Sequence, residues 1–153
     1  IGTILDQHFG SVVPDSQTVN CLFSNLGRSK GAGPLANLLV CLRQRSLEQD
    51  VYHACIAITA CRNACEWSTA LDILQNEVAD HVEVDTVTYN AAVSACEKGD
   101  QWLHALQLFL EMADDRVERD TVTYNAAVSA CEKGVQCIHA VHLFHELADS
   151  RVL

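Results

Sequence analysis

Tyr89, Ala92, Val93 and Cys96 fall at i, i+3, i+4 and i+7, the spacing that puts four apolar side chains on one helix face. Gly99 closes this pattern, where a helix C-terminus takes a residue that tolerates positive φ. A second helical pattern follows at Leu103, Leu106, Phe109 and Leu110, supported by Ala105 and Met112. Asp85 or Thr86 can cap the first helix and Asp100 the second, because a short side-chain oxygen accepts from free N–H groups of the first turn. Small Ala at 91, 92, 95 and 105 lets paired helices approach closely.

The whole pattern then recurs. DTVTYNAAVSACEKG at 85–99 stands again, letter for letter, at 120–134. A fixed period of 35 residues means a stacked array of two-helix units. In the later copy Val135 stands where Asp100 stood, and loss of that cap is expected to cost about 1 kcal/mol. Stepping back by the same period pairs Asp50 with Asp85, Cys61 with Cys96 and Trp67 with Trp102. One more step reaches Asp15 and Asn20, beyond which the register slips by a residue and only the apolar spacing survives. The units are therefore 16–50, 51–85, 86–120 and 121–153, with 1–15 the tail of a preceding one. The expected fold is a single all-α domain over 1–153, a right-handed α-solenoid of helix-turn-helix repeats in a tetratricopeptide-like superhelix. Without an initiator Met the chain reads as a piece of a longer array.

Composition agrees with this. Hydrophobic residues make up 49% of 153 and there are only 2 Pro, enough apolar side chain for a core and few helix breakers. No apolar run approaches the ~20 residues of a membrane span. Among the 8 Cys, Cys61, Cys96 and Cys131 share one position on the buried face of the first helix, and Cys21, Cys41 and Cys55 lie in similar apolar contexts. They read as reduced packing thiols in a reducing compartment. Cys61 and Cys65 are spaced for one helix face, but no further ligand completes a zinc pattern. His139, His142 and His145 read as an exposed stripe, and Trp67 and Trp102 as packing between helices.

The net charge of −10 argues against a nucleic-acid partner until its location is considered. The first helices carry Arg28, Arg62, Lys98 and Lys133 against Glu97 and Glu132. The second helices of the last three units carry Asp72, Glu77, Asp80, Glu111, Asp114, Asp115, Glu146 and Asp149, and no Lys or Arg. If the first helices line the groove, the acid lies on the outer layer and the groove is weakly basic.

The period, Thr-Tyr-Asn at 88–90 and 123–125, and Ala-Leu-Gln-Leu-Phe at 105–109 resemble the pentatricopeptide repeat family. The resemblance implies a single-stranded RNA-binding module, one base per unit, serving RNA processing, stability or editing in a chloroplast or mitochondrion. It implies that the fifth and last residues of each unit read the base. These are Asn20, Cys55, Asn90 and Asn125, with Asp50, Asp85 and Asp120. Asn with Asp resembles a uracil-preferring pair, so a U-rich target is expected, with Cys55 marking an unselective unit. The second position, which sandwiches the base, maps to Gln17, Tyr52, Val87 and Val122. A phosphate-approaching position near the end of the first helix maps to Arg28, Asn63, Lys98 and Lys133. No catalytic group, metal or cofactor is expected. Two alternatives stand beside this one. A protein-interaction scaffold is favoured by the acidity. The repeat region of a larger RNA-processing nuclease, such as protein-only RNase P, would leave this chain inactive by itself.

Overall fold

A computed structural model describes residues 33–44, 51–79 and 83–149, together with 17, 21, 24 and 25. Among the described residues there are seven helices and no strand. They are α1 (Gly33–Gln44), α2 (Val51–Ala64), α3 (Trp67–Ala79), α4 (Thr86–Lys98), α5 (Trp102–Asp114), α6 (Thr121–Lys133) and α7 (Cys137–Asp149). Helices α2, α4 and α6 pack on one another in sequence, and each packs on the helix that follows it. Helix α3 also rests on α4, and α5 on α6. The chain is therefore an all-α helical repeat solenoid with α2, α4 and α6 as one continuous layer.

The first-helix pattern lies where its spacing requires. Tyr89, Ala92, Val93 and Cys96 are buried, as are Ala91, Ala95 and Ala105. The second-helix stripe is met in part, with Ala105, Phe109 and Met112 buried as expected. Leu103 and Leu110 are exposed, and Ala105, Leu108, Phe109 and Met112 form the buried face. Both readings satisfy a helical period, and only contact with α4 and α6 selects between them. Glu77 departs from the expected acidic outer surface, since it is 2% exposed.

The turns correct two expectations. Gly99 and Gly134 are C-caps with φ of −84° and −75°, outside the left-handed region. The left-handed residues are Cys65, Asp100, Arg116 and Val135, with φ between 57° and 59°. After each, an amide donates back across the helix end, as Gln101 N does to the Cys96 carbonyl at 2.9 Å. This is the double-bonded helix stop that usually takes glycine at the left-handed residue. Here the glycine stands one residue earlier, because a Trp needs the space. A Cβ on Gly99 would lie 2.4 Å from Cδ1 of Trp67, and one on Gly134 would lie 2.4 Å from Cδ1 of Trp102. Each Trp thus wedges from one hairpin into the end of the next first helix. Its indole also meets a histidine one hairpin on, with ring centroids 5.2 Å apart for Trp67–His104 and 6.1 Å for Trp102–His139.

Asp100 does not cap α5. The cap residue is Gln101, which makes no side-chain cap bond. Asp100 occupies the left-handed turn instead, so Val135 costs the last hairpin backbone strain and not a lost cap. Asp85, rather than Thr86, caps α4, accepting from the Thr88 amide at 2.8 Å. Thr86 instead donates its hydroxyl to the Glu118 carbonyl at 2.9 Å, tying the start of α4 to the loop before α6.

Cys61, Cys96 and Cys131 are buried free thiols. Burial pushes the Cys61 thiol up to about 12 and that of Cys96 up to about 11, so neither supplies a thiolate near neutrality. Cys55 is half-buried and Cys21 exposed, which departs from the packing role expected of Cys21. The Cys41 side chain lies outside the described residues. No described helix is long and apolar enough to cross a membrane. No group of three metal-ligating side chains occurs among the described residues.

Candidate nucleic-acid interface

The candidate interface begins at the helix starts of the continuous layer. Asp120 precedes α6, where four backbone N–H groups lack helical partners. Its side chain accepts from the Thr123 amide at 2.9 Å, and its own amide donates to the Thr123 hydroxyl at 3.1 Å. This reciprocal capping box fixes the carboxylate at the junction of α4 and α6. Asn90, on α4, donates its Nδ2 to Asp120 Oδ1 at 3.0 Å. Its Oδ1 accepts from the Thr123 hydroxyl at 2.5 Å. The structure therefore brings together Asn90 and Asp120, the fifth and last residues of one unit, and adds Thr123 from the next.

Burial acts on the Asp120 carboxyl to raise its pKa. Hydrogen bonds from the Thr123 amide, the Asn90 carboxamide, the Thr123 hydroxyl and the Val122 amide outweigh it, and the group sits below its ordinary 3.8. Asp120 is thus a fixed anion that accepts from Asn90 and leaves the carboxamide one free N–H and one free lone pair.

Around this pair stand exposed apolar side chains. Val87 lies one helical turn before Asn90 on α4, and Val122 occupies the same place on α6. They are 61% and 56% exposed, and Tyr52 in the same place on α2 is 51% exposed. A β-branched or aromatic residue exposed at the same turn of three successive helices makes an apolar row on this layer.

The other sequence-derived residues are placed less uniformly. Asn125 is exposed, since no described helix covers that side of α6. Cys55 makes no described hydrogen bond with Asp85, which is exposed. Gln17 and Asn63 are exposed. Asn20, Arg28 and Asp50 lie outside the described residues.

The two lysines differ. Lys133 pairs with Glu97 Oε1 at 2.8 Å and donates to the Glu97 carbonyl at 3.0 Å. Ser129 also donates to that carboxylate, at 3.1 Å. The hydrogen bond from Lys133 to Glu97 raises the lysine pKa, with the nearby carboxylates adding to it. The counterpart of Glu97 in the preceding unit is Arg62, so Lys98 has no matching acid there, and it forms no ion pair among the described residues.

Sequence reasoning missed three residues whose contacts cross between elements, of which only the first touches the Asn90–Asp120 pair. One is Thr123. Another is Arg119, whose guanidinium lies 4.4 Å from the Phe109 ring centroid and 5.9 Å from that of Tyr124. The third is Asp115, which accepts from the Tyr89 hydroxyl. Burial and that hydrogen bond push the Tyr89 phenol upward, so it remains a neutral donor. The exact duplication gave no way to separate Thr123 from its neighbours in the copied block.

In comparison with known families, residues 84–133 match the model described as the PPR repeat family, and residues 122–152 match that of the PPR repeat. No curated protein matches the chain.

Proposed function

The chain belongs, over residues 84–152, to the pentatricopeptide repeat family, and on that premise we propose that it is a sequence-selective single-stranded RNA-binding module. Repeats of this family form helical modules that typically bind RNA and are generally not catalytic. The observation that carries the reading is the Asn90–Asp120 hydrogen bond beside the exposed Val87 and Val122. A carboxamide with one free donor and one free acceptor suits the edge of a pyrimidine base. An exposed apolar side chain on each flanking helix suits the two faces of that base. The preferred base at this unit is uracil, and the unit holding Cys55 is unselective because a thiol is a weak hydrogen-bonding group.

Phosphate neutralisation supplies much of nucleic-acid affinity, and a chain of net charge −10 with Lys133 already paired binds weakly. The test is therefore made at low salt, with a U-rich oligonucleotide against an A-rich one of equal length. Tighter binding of the U-rich strand is expected. Equal binding, or none, overturns the reading. Asn90→Ser should shift the base preference at one position only.

A further inference from the structure

The base-reading carboxamide of one unit is held by a hydroxyl of the next. Asp120 is acceptor-only, so it decides that the nitrogen of Asn90 faces it. One hydrogen bond leaves the carboxamide free to swing about that contact. The second point is the Thr123 hydroxyl. It accepts from the Asp120 amide at 3.1 Å, and its single proton lies between two acceptors, nearer to Asn90 Oδ1 at 2.5 Å than to Asp120 Oδ1 at 3.0 Å. Thr123 is 0% exposed and cannot itself meet a ligand.

The preceding junction supplies an internal control. Thr88 occupies the same position at the start of α4 and is also 0% exposed. Its amide donates to Asp85 as that of Thr123 does to Asp120. Yet the Thr88 hydroxyl is buried without a hydrogen-bond partner. The residue that would meet it is Cys55, which stands where Asn90 stands one unit later. The Thr88 hydroxyl also lacks the bond from the cap amide that Thr123 accepts, so the hydroxyl is satisfied at the junction that carries a carboxamide and orphaned at the one that carries a thiol.

We propose that the threonine at the third position of each following unit is a specificity-determining positioning residue: Thr123 fixes the orientation of Asn90, and Thr88 is preformed to do the same for a carboxamide at position 55. The first half rests on the RNA-binding reading above. The second half does not, since a carboxamide introduced at position 55 would satisfy the Thr88 hydroxyl with no RNA present.

The RNA arm uses oligouridine with a single U or A at the base facing the 86–120 unit. Thr123→Val should lower the U-to-A affinity ratio by about 3- to 10-fold, the worth of one hydrogen bond. The affinity for strands lacking that base should be little changed. Thr123→Ser, which keeps the hydroxyl, should restore the ratio. A Thr123→Val chain with the wild-type ratio, or a Ser variant that fails to restore it, overturns the positioning role. The RNA-free arm is thermal melting. Cys55→Asn should melt about 2–4 °C above Cys55→Ala, and the gain should vanish in a Thr88→Val background. Absence of the gain, or its persistence without the Thr88 hydroxyl, overturns the proposal. If no strand discriminates but the melting gain appears and depends on Thr88, the RNA-binding reading fails while the hydroxyl's hold on the carboxamide stands.

Discussion

Residues 85–99 and 120–134 have one sequence and two environments. Both form a thirteen-residue helix after an Asp cap, so the local code suffices for the helix and its start. Tyr89 and Tyr124, Ala95 and Ala130, and Cys96 and Cys131 are buried alike, because these side chains face elements present in both places. The other face differs. Val93 is fully buried and Asn90 is 8% exposed, whereas Val128 is only half-buried and Asn125 is exposed. The difference is α6, which covers α4, while no described helix covers that side of α6. A unit therefore completes the core and the candidate site of the unit before it.

The largest test of this comparison removes the two caps. Asp85 makes one cap bond, to the Thr88 amide. Asp120 makes the matching bond and also joins Asn90 and Thr123. Asp85→Ala should cost about 1 kcal/mol. Asp120→Ala should cost about 2–3 kcal/mol, because a mostly buried carboxamide also loses its partner. Chemical denaturation of the two variants reads the difference, and equal costs would break the claim that α4 and α6 are coupled through Asp120. The Asp120 carboxyl is held below its ordinary 3.8, so its contribution is complete above that pH. It is lost as pH falls through the lower folded value, and the gap between wild type and Asp120→Ala should close in that acid range.

The next test concerns the wedges. Gly99→Ala and Gly134→Ala should each cost about 1–3 kcal/mol, since the new methyl meets the root of an indole and not a flexible tip. Trp67→Ala should abolish the penalty of Gly99→Ala and leave that of Gly134→Ala intact. A double-mutant cycle checks this, and additive costs would show that the glycines serve some other need.

How much of this was legible before the structure depends on the distance over which each feature is encoded. The helix pairs, their period and the buried face of α4 follow from spacing within thirty-five residues. The glycines were visible too, but their reason was not. Gly99 reads as a helix-stop glycine from its own neighbourhood, whereas its constraint comes from Trp67, in the hairpin before. The choice of Leu108 over Leu103 on α5 has the same origin, because the two are equally apolar and only packing decides which is covered. In the candidate site, Asn90 with Asp120 was expected from the family resemblance, and the two do meet. Thr123 and the Glu97 clamp on Lys133 lie across a unit boundary, where no local pattern points.

Just beyond the duplicated block the copies part, and this sharpens the comparison. Asp100 and Val135 both sit at φ 57°. A short polar side chain tolerates that conformation, but a β-branched one is strained there. Val135 is also 80% exposed, so little packing repays the strain. Val135→Asn should stabilise the chain by about 1 kcal/mol, and Asp100→Asn should be near neutral, as judged by their denaturation midpoints. A Val135→Asn variant no more stable than wild type would mean that the turn relaxes freely.

The smallest effect separates the two lysines. Their sequence context is identical for fifteen residues, but Lys133 faces Glu97 and Lys98 faces the unit that carries Arg62. On the RNA-binding reading, a lysine already neutralised by a carboxylate releases few counterions when a phosphate arrives. Lys98→Gln should reduce the slope of log affinity against log salt by roughly 0.7, the single-strand value for one phosphate contact. Lys133→Gln should change it by clearly less. Adding Glu97→Gln to wild type should free Lys133 and steepen the slope. Equal slopes for the two lysine variants would show that the ion pair opens at no expense when RNA binds, and that the copies are equivalent on this face after all.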